Sequence, residues 1–262
     1  MRSLPPVIVA VGARAGAWLA ALWNARQLPM WSFLAVDSVE FRLLALPAGI
    51  RTCVAVSSAP ESLAKVAAAV EDSGAAVVLA DIGDAGALAL LPSLALHFKD
   101  CGRESEFILA GSPAEAEALA DLRRVQSRMI LLDDVHDLND PALGSCLAAL
   151  AATAFQAEDS LRRPDLTVYH SFLQASVRAA CAWIPDFSAV QAPSPLNAYE
   201  TLVVLFPGDG SEAAGELPEG EGVRRMLEEK GWAGSQMLCL VSQLDTRHGN
   251  VLLTLRPYAC ER

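Results

Sequence analysis

Short apolar runs alternate with longer segments of helical periodicity along about the first 135 residues. This alternation predicts a parallel β-sheet with crossover helices, and runs that are apolar throughout indicate strands covered by helices on both faces. Helix-start signals predict helices over 61–72 and 116–124. The predicted strands are residues 7–11, 32–36, 53–56, 75–80, 107–110 and 129–132.

The second half of the chain has a different pattern. Residues from about 140 to 183 have helical periodicity almost throughout, and 207–222 are rich in Pro, Gly and acidic residues. A smaller α+β unit is predicted to include a strand at 201–206 and a helix at 223–230, with strands at 237–244 and 250–256 joined as a hairpin. The predicted division is an α/β domain at 1–153, a core helical connector at 154–183 and a reduced C-terminal domain at 184–262.

Composition excludes several classes of protein. With 53% hydrophobic and 19% charged residues, the chain is not intrinsically disordered. A net charge of −11 without any Lys/Arg-rich run argues against a nucleic-acid partner or an anionic membrane surface. The longest uncharged stretches are shorter than the ~20 residues that cross a bilayer, so no membrane insertion is expected. Six scattered cysteines without a CxxC pair favour reduced core residues in a cytoplasmic protein.

Gly12 and Gly16 lie in the turn between the first predicted strand and its helix, and Asp37 ends the second strand. In a doubly wound sheet this turn brings helix N–H groups to a phosphate, and an acid at the end of the second strand binds a ribose. Two interpretations stay open at this point. One is a dinucleotide-binding site, and the other is only a tight turn between strand and helix.

A loop of carboxylates and one imidazole follows the last predicted strand of the first domain, at Asp133, Asp134, His136 and Asp137. These groups are suitable metal ligands. The alternative is a solvated loop in which Asp140 caps the next helix. Because the four histidines form no HxxxH or HExxH pair and no GxSxG occurs, neither a metal site nor a hydrolase is predicted.

Six segments of the chain, taken in order, point to a known family. Residues 7–45, with VIVAVGARAG and Phe33-Leu34-Ala35, are similar to a first glycine loop, helix and second strand, and 75–92, ending at Pro92, lie at the place of a glycine-threonine signature loop and its helix. Residues 129–138, 154–161, 184–190 and 237–258 follow with matching spacing. Together they resemble the tubulin superfamily, specifically the bacterial division tubulin FtsZ.

The resemblance implies a tubulin/FtsZ-type GTPase domain, a core helix and a smaller C-terminal domain of the activation type. It also implies roles for single residues. The loop at 184–190 would reach into the next subunit's nucleotide, with Asp186 as the retained catalytic candidate. The implied nucleotide positions are Gly12, Gly16, Asp37, Gly83 and Asp84 on the phosphate and ribose side, and Phe155 and Asp159 at the guanine.

The departures from the family pattern affect the mechanism. Gly83 alone keeps its register in the signature loop, while Asp81 and Asp84 add carboxylates where a polyphosphate carries negative charge. In the loop that reaches the neighbouring nucleotide, Ile184 and Ala189 replace polar groups that would orient water. Little or no GTP hydrolysis is therefore expected.

The leading hypothesis is a scaffold without a cofactor, which has lost GTP hydrolysis and which associates with itself or with another tubulin-like or division protein. Whether such a scaffold keeps or has lost GTP binding stays open at this point. The alternatives are an active, filament-forming GTPase that binds GTP or GDP with Mg²⁺, and a dinucleotide-binding oxidoreductase. We also expect a shortened C-terminal domain, and a chain that stops after its last strand without the linker and terminal peptide that tether FtsZ to the membrane.

Overall fold

The computed structural model describes residues 4–25, 28, 30–55, 60–111, 119–126 and 128–132 with their side chains, and the backbone of four strands at 177–184, 200–205, 237–241 and 250–257, besides residues 225, 228 and 229. The structural statements below concern these residues. Two predicted features, the capping box at 112–115 and nearly all of the helix at 223–230, lie outside them.

One ten-stranded sheet runs through the described part of the chain, in the order β3-β2-β1-β4-β5-β6-β7-β10-β8-β9. Strands β1 to β6 are all parallel, which confirms the predicted parallel sheet. The strands are β1 Val7–Val11, β2 Ser32–Asp37, β3 Arg51–Val54, β4 Ala76–Asp81, β5 Ser105–Ala110, β6 Met129–Leu132, β7 Val177–Ile184, β8 Glu200–Leu205, β9 Met237–Val241 and β10 Asn250–Pro257.

Five helices are described, and they connect the parallel strands: α1 Ala13–Ala25, α2 Glu40–Leu44, α3 Pro60–Ala69, α4 Ala85–Asp100 and α5 Ala120–Val125. The longest, α4, continues through Pro92 and begins at a capping aspartate, Asp84. It ends in a Schellman motif, in which Gly102 has a positive φ of 64° and the Arg103 N–H donates to the Phe98 carbonyl at 2.8 Å. Both helix ends matter below, because each forms part of a concave surface.

Side chains pack on both faces of the parallel sheet. Alternate residues of β1, β4 and β5 form one apolar cluster with buried side chains of α3, α4 and α5, including Phe98 and Leu91. The other face contacts α1, whose Trp18, Leu19 and Leu22 are fully buried. Strands buried on both faces need apolar residues at every position, which is why the pattern is continuous rather than alternating.

Strand β3 departs from this pattern. It was expected to be a buried apolar strand at 53–56, but it forms the outer edge of the sheet at Arg51–Val54 and is largely exposed. Cys53 is half-buried there, and burial raises the pKa of its thiol while the nearby Lys65 ammonium opposes the rise. Cys101 is exposed, so the expectation of core cysteines is wrong for this residue.

Two further expectations in the C-terminal region are wrong. Residues 177–183 were included in a helical segment, but they form β7, which pairs with β6 in parallel and with β10 antiparallel. The predicted hairpin of the last two strands is also absent, because β8 lies between β9 and β10 and pairs with both. Local patterns predict a strand but not its neighbour, and pairing in the sheet overrides the helical propensity of an alanine-rich segment.

Candidate functional site

The first candidate site lies at the carboxyl ends of three parallel strands. Strand β1 has β2 on one side and β4 on the other, so the order of the sheet changes direction beside it. In open α/β sheets, ligands bind in the crevice at such a switch point. Here Gly12 follows β1, Asp37 ends β2 and Asp81 ends β4, so the predicted phosphate and ribose positions meet at one edge.

Gly12 connects β1 to α1 in a conformation that favours glycine. Its φ is +91°, a value that residues with a side chain rarely adopt. Its N–H extends the pairing of β1 with β2 by donating to the Val36 carbonyl at 2.9 Å. A Cβ built on Gly12 would lie 3.2 Å from Oδ2 of Asp84, so the loop after β1 closely approaches the start of α4.

Asp84 caps α4 with its own carboxylate. Its Oδ1 accepts hydrogen bonds from the backbone N–H groups of Gly86 at 2.9 Å and Ala87 at 3.1 Å. These are amides of the first helical turn, which lack partners within a helix and would be the donors for a bound anion. The carboxylate therefore lies across the two loops, with Oδ1 on the helix and Oδ2 facing Gly12.

Asp81, the last residue of β4, also accepts a hydrogen bond from a backbone amide with its side chain. Its Oδ1 accepts a hydrogen bond from the Gly83 N–H at 3.0 Å. Its Oδ2 lies 3.2 Å from Nε of Arg14, which comes from the first turn of α1. This ion pair joins the loops after β1 and β4. The amide of Gly83, the glycine that keeps its register in the signature loop, is bonded to a carboxylate of the same chain.

Asp37, the third carboxylate, is also occupied. Its Oδ1 accepts a hydrogen bond from the Val39 N–H at 2.8 Å and lies 3.6 Å from Nη1 of Arg42. The side chain is only 3% exposed. A ribose hydroxyl would have to reach a carboxylate that is almost fully buried and that already has two partners.

The backbone amides of Val39, Gly83, Gly86 and Ala87 at this edge of the sheet already have hydrogen-bond partners. Three carboxylates, from Asp37, Asp81 and Asp84, accept hydrogen bonds from the backbone amides at this edge, and two guanidinium groups partly neutralise them. A phosphate at 4 Å from one such carboxylate would be repelled by about 1–4 kcal/mol, depending on the local dielectric constant. In nucleotide-binding folds the amides at this position bind a phosphate. Here they bind the carboxylates of Asp81 and Asp84 instead.

The other predicted site residues are placed as follows. Gly16 lies within the first turns of α1, and a Cβ built on it would meet no atom within 4 Å. Phe155, Asp159, Asp186 and the acidic loop at 133–137 lie outside the described residues. Among the side chains that are described, no three His, Cys, Asp or Glu residues are grouped to hold a metal ion.

Sequence reasoning missed the two arginines, Arg14 and Arg42, and the capping role of Asp84. The cap had a readable signal, since an aspartate directly before a helical pattern is a typical N-cap. The arginines had none, because their partners come from different elements or depend on the turn after β2. Within the described ranges, no helix combines the length and apolarity needed to span a bilayer.

Comparison with known proteins gives a match in structure alone. Neither models of protein families nor the sequences of characterised proteins match the chain. An FtsZ mutant from M. jannaschii superimposes with a TM-score of 0.61 at 12% identity, over 96% of this chain and 90% of that one. TubZ of Clostridium botulinum phage c-st gives 0.58 at 12% identity, covering 98% and 93%. CetZ1 from Haloferax volcanii gives 0.55 at 14% identity, covering 96% and 93%.

These similarities define the class of fold. The chain has the FtsZ/tubulin fold, with six parallel strands flanked by helices and a C-terminal region that adds four more strands to the sheet. Its sequence is only 9–14% identical to those of the solved structures with this fold.

Proposed function

We propose that this protein is a cytoplasmic scaffold with the FtsZ/tubulin fold that has lost GTP hydrolysis and GTP binding, and that it acts by associating with itself or with a division or cytoskeletal protein. One observation carries the proposal. The amides of Gly83, Gly86 and Ala87, at the place of the phosphate-binding signature, are hydrogen-bonded to the carboxylates of Asp81 and Asp84.

The energetics favour the chain's own carboxylates over a phosphate. A nucleotide would have to displace three amide–carboxylate hydrogen bonds, each worth about 1.5–3 kcal/mol because one partner is charged. It would also stand beside displaced carboxylates whose negative charge repels it. Because the freed amides would bond to the phosphate in return, the net penalty comes from the displaced carboxylates. Their repulsion of about 1–4 kcal/mol each corresponds to about one to three decades in affinity.

The proposed loss of hydrolysis is supported by the sequence of the catalytic-type loop. Asp186 keeps one acid, but Ile184 and Ala189 have no group that accepts a proton or orients water. Water positioning is the chemistry that the protein supplies in phosphoryl transfer. Even a nucleotide that reached the site would therefore be hydrolysed slowly.

Self-association is supported by proteins of the same fold. One structural neighbour is described as a filament of PhuZ201 and another as a protofilament of Bacillus thuringiensis TubZ in a GTPγS form. Both matches extend over 97% of this chain. These assemblies of other proteins with this fold support the proposal that copies of this chain associate head to tail, and we propose that they do so without a nucleotide.

The second candidate is a filament-forming protein that binds GTP or GDP. Structures of CetZ1 and of PhuZ with GDP favour it, because both share the fold. In this case the carboxylates of Asp81 and Asp84 would hold Mg²⁺, which would offset the negative charge of the nucleotide. The two candidates differ in one measurable property, which is the effect of the Asp84 carboxylate on nucleotide affinity.

The test is calorimetric titration of nucleotide-free protein with GTP and GDP, with and without Mg²⁺. We expect the wild type to show no binding at about millimolar nucleotide that Arg14→Ala weakens. Asp84→Ala should bind at least tenfold more tightly than the wild type, since it frees two amides and removes a negative charge. Asp72→Ala is the matched control, because this exposed carboxylate lies away from the site. Loss of the cap should cost the Asp84 variant about 1 kcal/mol of stability.

Two results would contradict the proposal. One is micromolar binding of GTP by the wild type that Arg14→Ala weakens, because Arg14 pairs with Asp81 at this site. The other is binding that Asp84→Ala abolishes with Mg²⁺ present, since the carboxylate would then hold the metal for the nucleotide. Either result would favour the second candidate.

A further inference from the structure

A second concave surface lies at the opposite edge of the same sheet. It is a groove of about 440 Å³ at the amino ends of β5 and β6, where α4 and α5 also end. We call it the basic groove, because its lining includes five cationic side chains and one carboxylate, Glu104. The cations are Lys99, Arg103, Arg123, Arg124 and Arg128.

The helix ends bring these cations together. The Schellman motif after α4 turns the chain sharply at Gly102, so that Lys99 and Arg103 reach the same groove. Arg103 is then fixed by its own hydrogen bonds, since its guanidinium donates to the carbonyl oxygens of Val70 at 2.6 Å and of Glu71. A cation held in this way keeps its charge while losing little freedom on binding an anion.

The floor of the groove is polar and rigid. The buried Gln126 side chain donates to the Ser105 carbonyl at 2.7 Å and to the Arg128 carbonyl at 2.8 Å. Its Oε1 accepts a hydrogen bond from the Ser105 hydroxyl at 3.2 Å. These bonds connect the end of α5 to the starts of β5 and β6, so the groove is formed before any ligand arrives.

The local charge is positive although the protein as a whole carries −11. Arg124 pairs with Asp121 and Arg128 with Glu104, at 3.2 and 3.0 Å. The Arg124 pair is more than three-quarters exposed, so a stronger anion exchanges with it easily. The two helix C-termini contribute about half a negative charge each, and the five cations exceed these opposing charges together.

We propose that the basic groove binds a small phosphorylated anion. Its volume is within the range of about 300–1,000 Å³ typical of small-molecule sites. Guanidinium groups match phosphate oxygens with paired hydrogen bonds. A protein partner would need an apolar anchor, and Val125 is the apolar side chain that the lining offers. The site is separate from the nucleotide-type site, because the amino and carboxyl ends of parallel strands lie at opposite edges of the sheet.

Calorimetric titration with inorganic pyrophosphate in Mg²⁺-free buffer tests the proposal on the full chain. We expect one binding site per chain and a loss of about 100-fold in affinity for Lys99→Glu/Arg124→Glu, both exposed residues of the groove. Arg51→Glu/Lys65→Glu is the matched control, since it makes the same change in net charge on exposed residues elsewhere. Glu104→Gln should bind several-fold more tightly, because it removes the carboxylate within the groove.

Three results would overturn the proposal: no binding at about millimolar pyrophosphate, equal losses in the groove and control variants, or a loss on Arg14→Ala that the groove variant does not show. The last result would place the anion at the nucleotide-type site. Failure of this proposal leaves the GTP experiment intact. GTP bound in the groove would lose affinity on Lys99→Glu/Arg124→Glu, whereas GTP bound at the nucleotide-type site would lose it on Arg14→Ala, so the two sites are distinguished. Misfolding cannot raise the affinity for pyrophosphate. A gain in Glu104→Gln would therefore show that the charge of the groove, and not its folding, determines binding.

Discussion

The carboxylate of Asp84 contacts both halves of the nucleotide-type site. It caps α4 through Gly86 and Ala87, and it faces the backbone of Gly12 across the switch point. The presence of Asp84 could be read from the sequence, and so could its conflict with a phosphate. Its contact with Gly12 could not, because that distance depends on how β1 and β4 pair.

The two predicted phosphate-loop glycines should respond oppositely to alanine. Gly12→Ala should lower the free energy of unfolding by about 1–3 kcal/mol, because its positive φ disfavours a side chain and the new Cβ approaches Asp84. Gly16→Ala should raise it by about 0.5–1 kcal/mol, since alanine favours a helix and the space around this Cβ is open.

Urea denaturation followed by circular dichroism would measure both glycine variants. Gly16→Ala serves as the control, because it makes the same chemical change four residues along the chain. A destabilisation of Gly16→Ala equal to that of Gly12→Ala would show that the backbone conformation at Gly12 is not the cause.

At the scale of elements, the six parallel strands were predicted by type and position, with ends that differ by at most two residues. Their apolar pattern is local, and burial on both faces imposes it. Strand β3 could not be recognised as an exposed edge, and β7 could not be recognised as a strand. In both cases the decisive factor is the neighbouring strand, which the residues of the element do not encode.

The connection of α5 to the sheet predicts a large effect at Gln126. Gln126→Ala should lower the free energy of unfolding by about 2–4 kcal/mol, because it leaves the buried hydroxyl and carbonyl of Ser105 without this partner. It also removes one of the two hydrogen bonds to the Arg128 carbonyl, which still accepts from the Phe107 N–H at 3.0 Å. Ser105→Ala removes only the hydroxyl and should cost about 1 kcal/mol. Thermal or chemical denaturation compares the two, and a smaller effect for Gln126→Ala would contradict this role for its side chain.

For the whole molecule, a net charge of −11 opposes association of like copies. If self-association is the function, sedimentation velocity should show larger species as salt rises from about 0.05 to 0.5 M, where the screening length falls from more than 10 Å to about 4 Å. GTP should change the distribution little, because the proposed site does not hold it. A monomer under all conditions would contradict self-association, and GTP-dependent assembly would favour the filament-forming GTPase.

The sequence by itself determined the parallel α/β architecture of the first 132 residues and the resemblance to FtsZ, because hydrophobic periodicity and helix-start signals act over a few residues. It also predicted that Asp81 and Asp84 would oppose a phosphate. Only the tertiary structure decided that these carboxylates bind the amides of the loop, and that Arg14 joins them. It likewise brought five cations together from positions 99 to 128, where the sequence has no basic run. Contacts between distant residues depend on how the elements pack, and no local pattern contains that information.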